Sequence, residues 1–305
     1  MNPLRAGLLA ASGNPGVRRF VSRYGMRLGA GRFVAGETAA EFLRVARRLN
    51  GEGFAVAASI LGEGVTSRLE AQEAAAQYVA LLARIRDEGL DANVALKLTH
   101  LGLDLDEDFA ARNAQTVLDA AQETRNSVRF DMEQSAYVDA TLRIYRQLRA
   151  RYDNVGFVLQ SCLYRTLDDL RGLIALRPNV RIVKGAYLEP VSVAFARKSE
   201  VDENYRRLVD CAFAAQGYTA IATHDARLMR YAIAAAQRKN LPRLGRFEFQ
   251  LLLGVRPDLA RWLRDCGYRV RVAVPFGRFW FPYLMRRLAE RPANVGFVLK
   301  SLVQR

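Results

Sequence analysis

The sequence predicts a parallel (β/α)8 barrel, because eight short apolar runs alternate with stretches of helical periodicity over most of its 305 residues. Such alternation is typical of parallel βαβ units. Eight units over about 250 residues match the usual length of a (β/α)8 barrel. Nearly every run ends in a charged or amide side chain, at the end of the strand where barrel enzymes place their chemistry. An open, doubly wound sheet with scattered surface charges is the alternative.

The eight apolar runs define the strands of the predicted barrel. They are residues 54–63, 93–99, 127–133, 155–160, 180–187, 218–225, 246–250 and 268–275. Because the carboxyl ends of the strands meet at one face, their terminal polar side chains are expected to gather at the mouth. These side chains belong to Glu63, Lys97, Asp131, Glu133, Gln160, Lys184, His224, Glu248 and Gln250.

Amphipathic segments follow the strands and predict the outer helices. They are residues 67–88, 107–124, 135–152, 166–176, 201–216, 227–239 and 257–265. Thr66 is the expected cap of the first of these helices and Gly89 its end. Thr166 and Asp169 form a capping pattern, and Pro257 stands where a first helical turn tolerates proline.

The two ends of the chain lie outside this alternation. Residues 1–50 are predicted to form a helical N-terminal extension, and residues 51–305 the barrel. After the eighth strand, Pro292 should divide the remaining chain into helices over residues 283–291 and 294–303. A standard barrel needs one closing helix, so the additional helix is expected to build something unusual at the mouth.

Composition narrows the class of protein. The net charge of +15 indicates attraction to membrane lipid, a phosphate-bearing cofactor or nucleic acid, or else only solvated helix surfaces. Three widely spaced cysteines argue for a reducing compartment and against disulfides or structural zinc. With two histidines, a histidine-rich catalytic metal site is not expected. No apolar run approaches the ~20 residues of a membrane-spanning helix, so a soluble or peripheral protein is expected.

Polar side chains of the C-terminal helix fall on one face. Tyr283, Arg286, Arg287 and Glu290 are spaced at i, i+3, i+4 and i+7. Two adjacent guanidinium groups form a fork suited to a carboxylate or a phosphate. An exposed polar stripe with an Arg287–Glu290 pair explains the same spacing.

Two central strands carry charges that a buried sheet does not ordinarily tolerate. Arg129, Asp131 and Glu133 project to one side of their strand, which is costly unless they line a polar site. Arg181 lies within an apolar run and needs an anionic or hydrogen-bonding partner. Gly185 allows close approach of a ligand to the backbone. No GxGxxG or GxxxxGK[ST] motif supports Rossmann or P-loop nucleotide binding.

These segments, in this order, resemble the proline dehydrogenase family over roughly residues 40–305. The resemblance rests on ALKLTHLGL, RFDMEQ, VLQSCLYRT, RIVKGAYLE, ATHD and YLMRRLAERPANVGFV. It implies a monofunctional bacterial type of enzyme with a distorted (β/α)8 barrel, non-covalent FAD and a final helix across the mouth. The implied reaction oxidises L-proline to 1-pyrroline-5-carboxylate by hydride transfer from C5 to flavin N5, the first step of proline catabolism. Electrons then pass to a membrane quinone.

The resemblance also implies roles for individual residues. Lys97, Asp131 and Arg181 would be catalytic, and Asp131 would brace Lys97 as well as contact the cofactor. The proline site would comprise Lys97, Tyr283, Arg286 and Arg287, and a Glu63–Arg286 pair would close over it. Arg181 would reach the N5 edge of the flavin and Gln160 its pyrimidine edge. The rest of FAD would be held by Val183, Lys184, Gly185, Ala186, Arg197, Lys198, Thr223, His224 and Glu290. His224 has a plainer explanation, an ordinary barrel-mouth histidine bonded to a carbonyl.

The chain departs from the family pattern at Ala273, where the family usually has a tyrosine in V-Y-V-P. The missing ring puts tight substrate fit in doubt, although Phe276 or Phe279 could replace it. The resemblance further implies a cytoplasmic protein associated peripherally with the cytoplasmic membrane, and a separate pyrroline-5-carboxylate dehydrogenase as a partner. No nucleic-acid partner is expected. A Schiff-base aldolase that uses Lys97 or Lys184 is the main rival function, and a nucleic-acid-binding protein is a weaker one.

Overall fold

Eight parallel strands form a closed barrel in the computed structural model, which describes residues 30–62 and 64–290. The strands are β1 (Ala55–Ile60), β2 (Ala92–Leu96), β3 (Val128–Phe130), β4 (Val155–Gln160), β5 (Asn179–Val183), β6 (Tyr218–Ala222), β7 (Phe247–Leu252) and β8 (Val270–Phe276). Each strand pairs with its neighbour in the sequence, and β8 returns to pair with β1. The predicted barrel is confirmed, and the open sheet is excluded.

The outer layer consists of helices that follow the strands. The helices are α1 (Ala39–Gly51), α2 (Arg68–Asp87), α3 (Glu107–Glu123), α4 (Val138–Arg149), α5 (Thr166–Arg171), α6 (Lys198–Ala214), α7 (Ala226–Arg238), α8 (Pro257–Asp265) and α9 (Trp280–Glu290). Short 3-10 turns lie at Ala30–Arg32, Thr99–Leu101, Ser135–Tyr137 and Ile174–Leu176. Among the described residues, no helix has both the length and the apolarity that crossing a bilayer requires.

Two predicted helix starts are wrong in detail. Ser67, not Thr66, accepts the capping hydrogen bond from the Glu70 amide. Thr66 instead donates to the Glu70 carboxylate. The Thr166 hydroxyl donates to the carbonyl oxygen of Gln160 at 2.6 Å, so it ties α5 to β4 rather than capping the helix. The first turn of α8 begins with Pro257, as predicted.

The main core lies between the strands and the helices. Outward-facing strand residues such as Val56, Val94, Phe130 and Phe157 are inaccessible to solvent. Helix α1 joins this core through the Phe42 ring, which stacks on Phe276 of β8 with centroids 5.0 Å apart. This burial of apolar area is the main stabilising term of the barrel.

A second, smaller apolar cluster places α9 at the C-terminal side of the barrel. Trp280 and Phe281 pack with Phe33, and with Leu61 beyond the end of β1. The Trp280 indole also donates to the Glu37 carboxylate at 2.9 Å. The final helix is therefore placed at the mouth side, as predicted. Most of the predicted extension, residues 1–50, and the predicted helix over residues 294–303 lie outside the described residues.

Small inward-facing residues leave the lumen room for large polar side chains. The strand register aligns Ala95 of β2, Arg129 of β3 and Gly156 of β4. A Cβ atom on Gly156 would lie 2.7 Å from the Asn179 carbonyl oxygen, closer than side-chain carbons approach. Inward positions on a strand recur every second residue, so these small residues alternate around the barrel with arginine, asparagine and glutamate.

Candidate active site at the barrel mouth

An arginine–aspartate pair lies in the upper lumen. Arg181 of β5 donates through Nη2 to Asp131 Oδ1 beyond the end of β3, and the two side chains are 12% and 21% exposed. Arg181 Nη1 also donates to Gln250 Oε1 at 3.4 Å. The third nitrogen of this guanidinium, Nε, is buried without a hydrogen-bond partner. The Arg181 guanidinium thus keeps hydrogen-bonding capacity below the mouth.

Gln160 and Glu133 connect the ends of β2, β3 and β4. The Gln160 amide donates to the Glu133 carbonyl oxygen at 2.8 Å. The buried Glu133 carboxylate accepts from the Thr99 hydroxyl at 2.6 Å and from its backbone amide at 3.2 Å. Glu133 is therefore a brace for the turn that follows Lys97, which is half-buried at the end of β2.

Backbone geometry after β5 requires glycine at position 185. Gly185 has φ +109°, and a Cβ atom there would lie 2.3 Å from Cys162 Sγ. The Cys162 amide donates to the Lys184 carbonyl oxygen at 2.9 Å, which fixes the two loops against each other. The exposed side of Gly185 presents bare backbone toward the mouth.

Two lysines and two aspartates form an ionic cluster beside this backbone. Lys184 Nζ lies 2.6 Å from Asp202 and 3.0 Å from Asp225, and Lys198 Nζ lies 2.5 Å from Asp202. Burial acts to raise the pKa of Asp225, but the hydrogen bonds from Lys184 and the Arg227 amide, together with the charges of Lys184 and Lys198, outweigh it and lower that pKa to about 2. Asp225 also caps α7 by accepting from the Arg227 amide. Sequence reasoning missed both aspartates, although Asp225 directly follows the ATH motif.

The histidine and threonine after β6 face the same rim. His224 Nε2 accepts from the Leu252 amide at 3.0 Å, so this nitrogen carries no proton and ties the imidazole to β7. Thr223 is buried, and its hydroxyl oxygen accepts from the Asp225 amide. Arg197, whose side chain is 80% exposed, stands at the start of α6.

Ala273 faces the lumen, where it lies in register with Ala57 of β1 and Leu252 of β7. Neither proposed replacement for the missing ring fills this space. Phe276 is buried in the core against Phe42, and Phe279 is 63% exposed.

Some predicted site residues lie elsewhere or outside the described part. Glu248 is not at the mouth: β7 continues to Leu252, so Glu248 is its second residue, near the base, and contacts Arg271 Nε at 2.9 Å. Tyr283 is half-buried and packs on the cluster around Trp280. The predictions for Glu63 and for the side chains of Arg286, Arg287 and Glu290 lie outside the described residues.

Comparison with known proteins agrees with this geometry. The sequence profile of the family described as proline dehydrogenase matches residues 42–300. Proline dehydrogenase 1 of Bacillus subtilis strain 168 is 39% identical over 302 residues, which are 99% of this chain and 100% of that protein. The chain belongs to the proline dehydrogenase family. Proline dehydrogenase of Deinococcus radiodurans is 40% identical over 284 residues, or 90% of each chain.

The long bifunctional relatives match less closely. PutA of Bdellovibrio bacteriovorus, inactivated by N-propargylglycine, has a TM-score of 0.81 at 25% identity, and the match covers 87% of this chain and 32% of PutA. Bifunctional PutA of Escherichia coli K12 is 27% identical over 95% of this chain and 25% of its own. This chain thus spans a quarter to a third of the PutA chains. The predicted resemblance to the shorter members of the proline dehydrogenase family is confirmed.

Proposed function

We propose that this protein oxidises L-proline to 1-pyrroline-5-carboxylate with non-covalently bound FAD and passes the electrons to a membrane quinone. The observation that carries this proposal is the Arg181–Asp131 pair below the mouth, with the open β5 backbone and its lysines beside it, in a chain of the proline dehydrogenase family. This reaction is the first step of proline catabolism.

The residues of the mouth fit a flavin. Arg181 retains a buried N–H group without a partner, which suits a ring nitrogen or carbonyl of the cofactor. Gly185 leaves exposed backbone beside the mouth, at a position where its φ of +109° and the nearby Cys162 Sγ exclude a side chain. Lys184, Arg197 and Lys198 supply positive charge for a pyrophosphate at the rim. When bound there, FAD would supply the two-electron acceptor that amino-acid side chains lack.

Gln160, Val183, Ala186, Thr223, His224 and Glu290 are proposed to complete the cofactor site, together with Asp131. Asp131 holds Arg181 in one orientation by its ion pair. A guanidinium fixed in a low-dielectric lumen stabilises negative charge that develops beside it, and it does so without reorganising during the reaction.

Lys97 and the α9 residues Tyr283, Arg286 and Arg287 are proposed to hold proline. Cations that bind the carboxylate would fix the ring carbons of the substrate, and this fixed geometry supplies much of the acceleration. Glu63 is proposed to pair with Arg286 and close the site, which excludes water during the reaction. This proposal is supported by the strand register, because Lys97 and Asp131 directly follow Leu96 of β2 and Phe130 of β3, which pair with each other.

A quinone acceptor and peripheral attachment to the cytoplasmic membrane belong to the same proposal. The net charge of +15 supports docking on anionic lipid, to which clusters of lysine and arginine are attracted. A separate pyrroline-5-carboxylate dehydrogenase would consume the product in the cytoplasm.

The test combines turnover with cofactor binding. The FAD-loaded protein is incubated with L-proline and a soluble quinone, and 1-pyrroline-5-carboxylate is quantified by mass spectrometry. We expect product and reduced quinone in equal amounts. Lys184→Met should weaken FAD binding about tenfold or more, since a charged hydrogen bond contributes ~1.5–3 kcal/mol. Lys239→Met, an exposed lysine at the far end of α7, is the matched control and should leave FAD affinity unchanged.

Two outcomes overturn the proposal. One is a protein that takes up no FAD at any concentration. The other is a colourless protein that borohydride traps covalently with a carbonyl substrate, which is the signature of a Schiff-base lysine.

A further inference from the structure

Charges inside the barrel do not cancel. On the described inward positions of the eight strands and the residues that directly follow them, three arginines face two carboxylates. These five residues are Arg129, Arg181, Arg271, Asp131 and Glu248. At the base, Arg269 and Asp91 pair with each other at 2.8 Å and offset one another. Among these five residues, one guanidinium charge is in excess. The mouth adds one cation, Lys97, and one buried carboxylate, Glu133, which leave this balance unchanged.

Arg129 is the arginine that forms no direct ion pair in this network, although the more distant Glu248 attracts it and acts to raise its pKa. Arg181 pairs with Asp131, and Arg271 pairs with Glu248. Arg129 is 3% exposed, its Nη2 donates to the neutral Asn179 Oδ1, and its Nε is buried without a hydrogen-bond partner. Burial, and then repulsion by Arg181, lower the pKa of Arg129 to about 10, so the group stays charged at neutral pH.

Lack of space does not explain why Arg129 contacts an asparagine and not a carboxylate. Asn179 is tightly held, because a Cβ atom on Gly156 would lie 3.1 Å from its Cγ. An aspartate has nearly the same shape as an asparagine and would fit this position equally well. The excess charge therefore depends on one amide group, in a setting where an unpaired buried charge costs several kcal/mol.

Arg129 lies directly below the site proposed for the flavin. The register pairs Arg129 with Gly156 and Arg181 with Val158, so Arg181 is one inward position closer to the mouth. The Arg181 side chain contacts Asp131, and the positive charges of Arg181 and Arg129 repel each other. Electric fields in a low-dielectric lumen are weakly screened, so the charge of Arg129 also acts at the mouth.

We propose that Arg129 is a positioning residue that, through Arg181, maintains a positive potential beneath the flavin and so stabilises the negative charge the ring gains on reduction. The proposal rests on the proposed function, because it requires FAD at the mouth. It makes the neutral Asn179 a functional feature of the lumen rather than an incidental hydrogen-bond partner.

The test compares three variants of the FAD-loaded protein. Arg129→Met removes the charge, Asn179→Asp neutralises it with an isosteric acid, and Asn179→Ala removes the hydrogen bond while keeping the charge. The readouts are the flavin midpoint potential and the affinity for sulfite, which adds to N5 and leaves negative charge on the ring. FAD affinity and the free energy of unfolding are measured beside them.

Both charge-cancelling variants should bind sulfite about tenfold more weakly, since one buried charge at an effective dielectric of about 20 is worth at least that factor. For a two-electron couple, tenfold corresponds to a midpoint potential about 30 mV lower. Asn179→Ala should retain the wild-type potential whatever its stability.

A potential unchanged in Asn179→Asp, which should fold because it gains an ion pair, would overturn the inference even if Arg129→Met is unstable. If proline reduces the wild-type flavin in that case, the proposed function survives alone. A wild-type protein that binds no FAD would overturn both the inference and the proposed function.

Discussion

The base and the mouth of the barrel lumen both contain arginines paired with acidic residues, but the pairs serve different purposes. At the base, the Glu248 carboxylate accepts from Arg271 Nε at 2.9 Å and from Gln250 at 2.5 Å, and lies 3.4 Å from Arg269. At the mouth, Arg181 pairs with Asp131 but keeps a buried donor without a partner. A carboxylate held by several cationic and amide donors stabilises the fold, whereas a buried donor left without a partner beside exposed backbone is prepared to bind a ligand.

The base also faces solvent through a cavity of about 480 Å3, which Asp91, Asn93 and Arg271 line. Most of its polar groups are nevertheless paired, although Glu248 Oε2 is buried without a hydrogen-bond partner. Arg271 Nη1 donates to the Val56 carbonyl oxygen at 2.8 Å and to Asn93 Oδ1 at 3.3 Å. A cavity by itself does not mark the active end of this barrel. The better mark is a buried donor without a partner beside exposed backbone, as at Arg181 and Gly185.

The largest expected effect on stability is at the base. Glu248→Gln leaves Arg271 and Arg269 without their buried acid, which should lower the free energy of unfolding by about 3–5 kcal/mol. Asp91→Asn is the matched control: its partner Arg269 is shared, but its side chain is 49% exposed, and the cost should be at most about 1 kcal/mol. If urea denaturation shows the same loss in free energy of unfolding for both variants, the buried Glu248 contributes no more to stability than the half-exposed Asp91, which would contradict this expectation.

At the mouth, the largest expected effect is on substrate binding. Arg286→Lys or Arg287→Lys should raise the KM for proline about tenfold or more while FAD stays bound, since lysine cannot reproduce a planar two-pronged contact. Arg278→Lys, on the exposed loop before α9, is the control and should change neither value. Unchanged proline kinetics in both α9 variants would contradict the proposal that Arg286 and Arg287 bind the proline carboxylate.

The pH dependence of stability gives a further test of the buried Glu248 at the base. Arg271 and Arg129 outweigh burial and lower the pKa of Glu248 from 4.5 to about 2. A carboxylate with a depressed folded-state pKa stabilises the fold above its unfolded pKa, and this stability is lost as the pH falls through that window. The free energy of unfolding should therefore decline between pH 4.5 and about 2. Glu248→Gln should flatten this decline, and an identical slope in the variant would contradict the assignment.

The smallest expected effect concerns the inner wall of the mouth. Ala273→Tyr should lower the KM for proline a few-fold and improve discrimination against hydroxyproline, because a ring at this inward position would occupy space beside Ala57, with which Ala273 is in register. The ratio of kcat/KM for the two substrates, measured in wild type and variant, checks this. Equal discrimination would mean that another group fills the space.

The sequence predicted the barrel well because apolar periodicity is a local signal that burial reinforces. It predicted less of the lumen. Glu248 was wrongly assigned to the mouth because the end of β7 was placed at Gln250, two residues before its observed end at Leu252. Asp202 and Asp225 contact Lys184 from α6 and from the loop before α7, and no local sequence pattern predicts these contacts. The Arg129–Asn179 contact joins residues 50 positions apart and depends on strand register.

The most direct test of the account is anaerobic addition of L-proline to the FAD-loaded protein, with the visible flavin absorption followed in the wild type and in Arg181→Met. We predict that the wild-type band bleaches, and that Arg181→Met binds FAD but is reduced at least ~100-fold more slowly, as expected for losing a fixed electrostatic contact. A wild-type flavin that stays oxidised, or an Arg181→Met flavin reduced at the wild-type rate, would contradict the account.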